Sequence, residues 1–223
     1  MIIENNNGKS NFFAKVYLWM FIGLILSGGV AYFTSVSPNI INFVYNNMFL
    51  IVILELILVF VFSLLRNKIS SSTAKVLFVI YSFTTGLTLS SIFLYYKIGS
   101  IIMVFLSTSL MFGLMAIYGY VTKQDLSSFG KILFFALIAI IVMSIINMFV
   151  LNSSLGLIIS IVSIVIFLGF TAWDMKKLKE IYNYYEGNDE ELSKASIYGA
   201  LDLYLDFVNI FLDLLRLFGN RRD

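Results

Sequence analysis

In the stretch ALDLYLDFVNIFLDLLRLFG, residues 200–219, an otherwise apolar run is punctuated by Asp202, Asp206, Asn209, Asp213 and Arg216. Their spacing of 4, 3, 4 and 3 keeps all five on one stripe of an α-helix, over about 21 Å of its length. Carboxylates and an amide in such a row offer hard oxygen ligands to a cation such as Ca²⁺. Two carboxylates held close together cannot both ionise cheaply, so they share a proton whose apparent pKa rises from about 3.9 towards neutrality. That chemistry gives a pH switch without histidine. A charge facing lipid at mid-membrane is costly, so the stripe is expected to face a protein interior or a water-filled cavity. The plainer reading is a polar packing seam, with Asp213 and Arg216 paired at i, i+3 and Asp202 solvated at the helix end. Asp206 fits that reading least, since no basic residue lies one turn away.

Three further groups could join this chemistry. Asp174 closes the apolar run of FLGFTAWDMKKLK, where it serves either as a functional carboxylate or as an interfacial one balanced by Lys177 at i+3. Arg66, in SLLRNK, ends another apolar run and alone would pass for ordinary cytoplasmic punctuation. Glu55, in IVILELILVF, stands 11 residues before Arg66, about 16 Å deeper, too far to reach the surface and therefore expected to face the interior. Histidine and cysteine are both absent. Imidazole and thiolate metal sites, disulfides and Ser-His or Cys-His nucleophiles are thereby excluded, and the remaining chemistry must use carboxylates, hydroxyls, Lys and Arg.

The elements that must position these groups are membrane-spanning helices. The 223-residue chain is 60% hydrophobic with one proline and a mean hydropathy of +0.93, outside the range of soluble domains. Apolar blocks predict seven spans, at about 12–34, 47–65, 76–96, 99–121, 131–151, 154–174 and 197–218. Residues 1–11 are expected to be a disordered cytoplasmic tail, 12–218 one seven-helix transmembrane domain and 219–223 a short basic tail. Lys9, Lys15, Arg66, Lys68, Lys75, Lys123, Lys131, Lys176, Lys177, Lys179 and Lys194 fall on one side of this topology and Lys97 on the other. The N-terminus is therefore expected to be cytoplasmic. After seven crossings the C-terminus would lie outside, against the sense of Arg221 and Arg222, so a last segment that only dips into the bilayer is also open.

Topology brings the ends of spans two and six and the start of span seven to the same inner face, where Arg66, Asp174 and Asp206 could meet. Spans three and four carry softer polarity, Thr84, Thr85, Thr88, Ser90 and Ser91 together with Gly113 and Gly119. Such residues more often serve close helix packing than line a pore. No phosphate-binding loop or nucleic-acid motif is present.

FTAWDMKKLK, YGYVTKQDLSSFG and above all LYLDFVNIFLDLLRLFG resemble the signatures of the transmembrane Bax inhibitor motif family, and the likeness runs through nearly all seven spans. The resemblance implies an all-α integral membrane protein in which six helices surround a central seventh. It implies a calcium leak regulated by pH through two aspartates, which match Asp174 in TAWD and Asp206 in LYLD. In the family's bacterial members a basic residue ending helix two contacts the pair and a glutamate 11 positions earlier faces the pore; Arg66 and Glu55 match both. Asp202 and Asp213 stand beside the family pair as additional acids on the ion pathway. The resemblance points to a bacterial inner membrane, to Ca²⁺ as the transported ion with Asp174, Asp206 and Glu55 as its contacts, and to no other cofactor.

Two rivals lack their chemistry: an intramembrane aspartyl protease would need a Gly-x-Gly-Asp motif, and a retinal receptor a lysine in segment seven. The alternative that sequence leaves open is an accessory membrane protein that conducts nothing and regulates partner proteases or stress and survival factors.

Overall fold

The computed structural model describes residues 6–66 and 68–222. Eight helices follow one another: α1 (Asn6–Val36), α2 (Pro38–Asn46), α3 (Met48–Leu64), α4 (Ser71–Tyr95), α5 (Ile98–Val121), α6 (Ser127–Val150), α7 (Ser153–Tyr185) and α8 (Asp189–Phe218). Helix is what these apolar runs must adopt in lipid, because every backbone N–H and C=O is then satisfied within its own segment. Among the described residues, α1, α4, α5, α6 and α7 are long and apolar enough to cross a membrane, and a sixth crossing results if the bent pair α2 and α3 counts as one.

Several expectations are corrected. The first helix starts at Asn6, not Phe12, so residues 6–11 are helical and not a disordered tail; Lys9 is only 6% exposed. Residues 1–5 lie outside the described part. An extra short helix, α2, opens with Pro38 in its first turn and meets α3 at an angle of 74°. Proline suits a first turn, where its missing N–H would have no partner in any case. By length and hydropathy alone the described helices give five or six crossings; α8 carries Asp202, Asp206, Asp213 and Arg216 within its apolar part. Asp174 does not end its helix: α7 continues to Tyr185.

The α7–α8 turn explains itself from the sequence. Gly187 takes a φ of +88°, a conformation glycine adopts without a Cβ clash. Asn188 Oδ1 then accepts from the Glu191 N–H at 3.2 Å, and Asp189, Glu190 and Glu191 fill the first turn of α8, where negative charge is favoured.

The contacts divide the chain into two compact units, Met1–Tyr95 with Ile181–Tyr204, and Tyr96–Glu180 with Leu205–Arg221. In the first unit α1 packs on α4, close enough that a Cβ at Gly86 would meet Val30 and the Ser27 carbonyl. In the second, Phe207 stacks edge-on against Phe105 and Phe112, and Phe211 against Phe105. That order makes α8 antiparallel to α5. At the end of this ladder Asn220 and Arg221 pair with the α4–α5 turn, Lys97 N–H donating to the Asn220 carbonyl at 2.9 Å beside a Tyr96–Arg221 bridge. The basic tail is thus tied to the connection opposite the lysine-rich ends of α6 and α7.

Candidate functional site

Glu55 lies in the first unit on the α3 stripe that includes the buried Ile51 and Phe62. Its Oε1 accepts from Thr88 Oγ1 at 2.8 Å. Thr88 also donates back to its own helix, to the Thr85 carbonyl at 2.9 Å, so one hydroxyl is shared between the carboxylate and α4. Glu55 is thereby held within apolar α3 by a hydroxyl of a type that more often serves helix packing. The signal that could have found it is the depth of Thr88 in α4, comparable to that of Glu55 in α3.

Arg66 follows the end of α3, and its guanidinium carbon sits 5.1 Å from the centroid of the Tyr198 ring. Tyr198 packs edge-on to Phe62 at 4.4 Å and its hydroxyl donates to the Phe62 carbonyl at 3.1 Å. The arginine therefore has an aromatic platform on α8, a geometry that suits the flat guanidinium better than a lysine. Asp202, further along α8 in this unit, is half-buried.

The second unit holds Asp174 and Asp206, the two aspartates to which the sequence resemblance points. Asp174 is 6% exposed and Asp206 4%. Asp174 belongs to the buried face of α7 with Thr171, Met175 and Leu178, and Asp206 to the buried face of α8 with Phe207 and Ile210. Lys177 Nζ lies 3.6 Å from Asp174 Oδ1, the helical i+3 partner expected from sequence, and the same ammonium rests 4.6 Å over the Trp173 ring. Buried carboxylates are costly to ionise unless compensated.

Towards the tail end of the same unit, Asn209, Asp213 and Arg216 line an open groove of about 480 Å³ together with Ser144, Asn147 and Ser163 of the neighbouring helices. Ser160 and Ser163 of α7 face the Asp213 carboxylate, and Arg216 Nη1 donates to Ser160 Oγ at 3.5 Å. From Asn209 to Arg216 the stripe thus faces a groove of mixed polar and apolar lining, to which α6 contributes the Ser144 hydroxyl and α7 the Ser163 hydroxyl. Away from the stripe, Leu203, Tyr204, Ile210 and Leu215 of α8 are fully buried, while Leu212 and Phe218 are exposed. Among the described residues, no three acidic side chains gather at metal-binding spacing.

Residues 9–223 match the family described as inhibitor of apoptosis-promoting Bax1. The chain is 44% identical over 225 residues to the inner membrane protein YbhL of Escherichia coli K12, covering 99% of this chain and 96% of that one. It is 40% identical to the protein RP147 of Rickettsia prowazekii, covering 98% and 93% of the two chains, and 37% identical to a membrane protein of Streptococcus pyogenes serotype M1, covering 97% and 95%. Matched along nearly its whole length by a family and by membrane proteins of distant bacteria, this helical membrane protein belongs to the Bax inhibitor family.

Proposed function

We propose that the protein is a pH-sensitive calcium leak of the bacterial inner membrane, with Asp174 and Asp206 as a carboxylate pair that gates it and Arg66 as their modulator. The observation that carries this reading is the burial of both carboxylates, 6% and 4% exposed, on the buried faces of consecutive helices of one unit, in a chain without histidine. A proton shared by the pair latches α7 to α8; a cationic neighbour favours the doubly ionised form and loosens the latch. Lys177, 3.6 Å from Asp174, is a cation of this kind, and Arg66 is the second in this reading.

Glu55, Asp202 and Asp213 complete the ion pathway in this reading. Their scatter along the bundle suits passage, because conduction needs sites that attract an ion and release it again. A resident ion would instead be held by six to eight oxygens at once. The burial of Leu203, Tyr204, Asp206, Phe207, Val208, Ile210 and Phe211 in the middle of α8 supports its placement as the central helix of a seven-helix bundle. The pairing of Asn220 and Arg221 with the α4–α5 turn supports a full crossing by α8, with the N-terminus cytoplasmic and the C-terminus outside.

The test is Ca²⁺ flux in vesicles of pure lipid, followed against pH for the wild type, Asp174→Asn, Asp206→Asn and the double variant. A leak gated by the pair shows one pH step that either single change abolishes and the double change does not deepen. Flux at the lipid-only rate assigns the protein to the accessory, non-conducting role. Additive effects of the two changes refute the shared proton.

A further inference from the structure

A second recess of about 560 Å³ lies in the second unit between the start of α6 and the last turns of α7 within that unit. Its two walls are graded in the same sense. On α6, Lys131 stands one turn ahead of Phe134 and Phe135; on α7, Phe170 and Trp173 stand one turn before Lys176 and Lys177. Because α6 enters where α7 leaves, both walls pass from aromatic to ammonium towards the same end of the unit. The aromatic part opens to the bilayer, with Phe134 56% and Phe135 70% exposed.

The recess is built, not a flat patch. A side chain at Gly130 would run into the Trp173 indole, so the glycine is what lets the indole sink between the two helices. Lys177 over that ring fixes one edge of the rim. Among the lining residues three ammoniums stand against one carboxylate, Glu180; just beyond the lining, Lys177 pairs with Asp174 and Lys176 lies within electrostatic reach of Asp125. An apolar slot open to lipid and closed at the headgroup level by a surplus of lysines matches one class of molecule, in which acyl chain and phosphate are joined at that same spacing.

We propose that the α6–α7 recess binds one anionic phospholipid, its phosphate among Lys131, Lys176 and Lys177 and an acyl chain along Phe134, Phe170 and Trp173. The site requires no ion conduction and stands or falls apart from the calcium-leak reading. Lys177 also serves Asp174, so the lysines to vary are Lys131 and Lys176.

The chain has two tryptophans, and Trp19→Phe leaves Trp173 as the sole indole, at the floor of the recess. In nanodiscs of neutral phosphatidylcholine, bromine-labelled phosphatidylglycerol is expected to quench Trp173 at lower mole fraction than bromine-labelled phosphatidylcholine. Lys131→Gln and Lys176→Gln should each weaken that preference about fivefold, the value of one lysine at a membrane surface. The double Lys→Arg variant should keep it. Raising salt on the unaltered rim should erode the preference too, which decides the matter if the Gln variants do not remain monodisperse. Equal quenching by the two lipids, or an anionic preference indifferent to both lysines and salt, overturns the proposal. Relief of quenching by millimolar inorganic phosphate alone would also overturn it, as the site would then be one for a soluble anion.

Discussion

Gly119→Ala is expected to unsettle the ground on which Asp174 stands. An ideal Cβ at Gly119 of α5 would lie 2.7 Å from Ala172 Cα and 2.8 Å from its carbonyl carbon, closer still to the carbonyl oxygen, against the 3.4–4 Å of ordinary contact. The obstacle is backbone, which cannot rotate aside, so α5 and α7 must separate by about 1 Å at a cost of about 1–3 kcal/mol. Alanine's better helix propensity returns up to about 1 kcal/mol. Gly113, six residues earlier on the same helix, has nothing within 4 Å of its ideal Cβ, so Gly113→Ala carries the same propensity gain without the clash. Comparing the two variants cancels the propensity contribution and isolates the overpacking. At about 2–4 °C per kcal/mol for a chain of this size, Gly119→Ala should melt about 2–12 °C below Gly113→Ala in a detergent-solubilised thermal scan. Asp174 follows Ala172 by two residues, so Gly119→Ala should also shift the pH profile of Ca²⁺ flux while Gly113→Ala leaves it in place. A Gly119→Ala protein that melts at or above Gly113→Ala refutes the close approach of α5 and α7.

Two more outcomes follow from named contacts. Glu190 accepts from the Ser71 N–H at 2.8 Å and from the Ser71 hydroxyl at 2.9 Å, and these bonds hold its carboxyl below the usual carboxylate range. Its folded pKa is depressed, so its contribution is present above the unfolded value of about 4.3 and lost as pH falls through the folded one. Glu190→Gln should therefore lower the melting temperature at pH 7 and converge with wild type in acid; a gap that persists in acid would show a packing effect instead. Topology is testable because the chain has no cysteine. Ser72→Cys, exposed beside the buried Ser71, should take a membrane-impermeant thiol reagent only after permeabilisation, whereas Asn152→Cys and Asn220→Cys should label in intact cells; the reverse pattern inverts the orientation.

Hydropathy and helical period are local properties, and they were enough to read the class of this protein. An all-helical membrane chain, the polar stripe from Asp202 to Arg216 and the depth of Glu55 could all be read from neighbouring residues, since 20 or so apolar positions and a 3.6-residue repeat leave lipid and backbone few alternatives. Helix ends were legible less well. Residues 6–11 and 175–185 are polar enough to look like connections, yet they continue α1 and α7, with Lys9 buried in the first and Met175, Leu178 and Tyr182 in the second.

Tertiary structure alone decided which partners meet. Thr88 reaches Glu55 from 33 residues away and Glu190 reaches Ser71 from 119, while Tyr198 comes from another helix to lie beneath Arg66. Nor does the sequence separate Gly119, pressed on Ala172, from Gly113, where a side chain would find open space. Periodicity tells which face of a helix a residue occupies. What stands opposite that face depends on how helices distant in sequence are packed, and the same spacing is compatible with many neighbours.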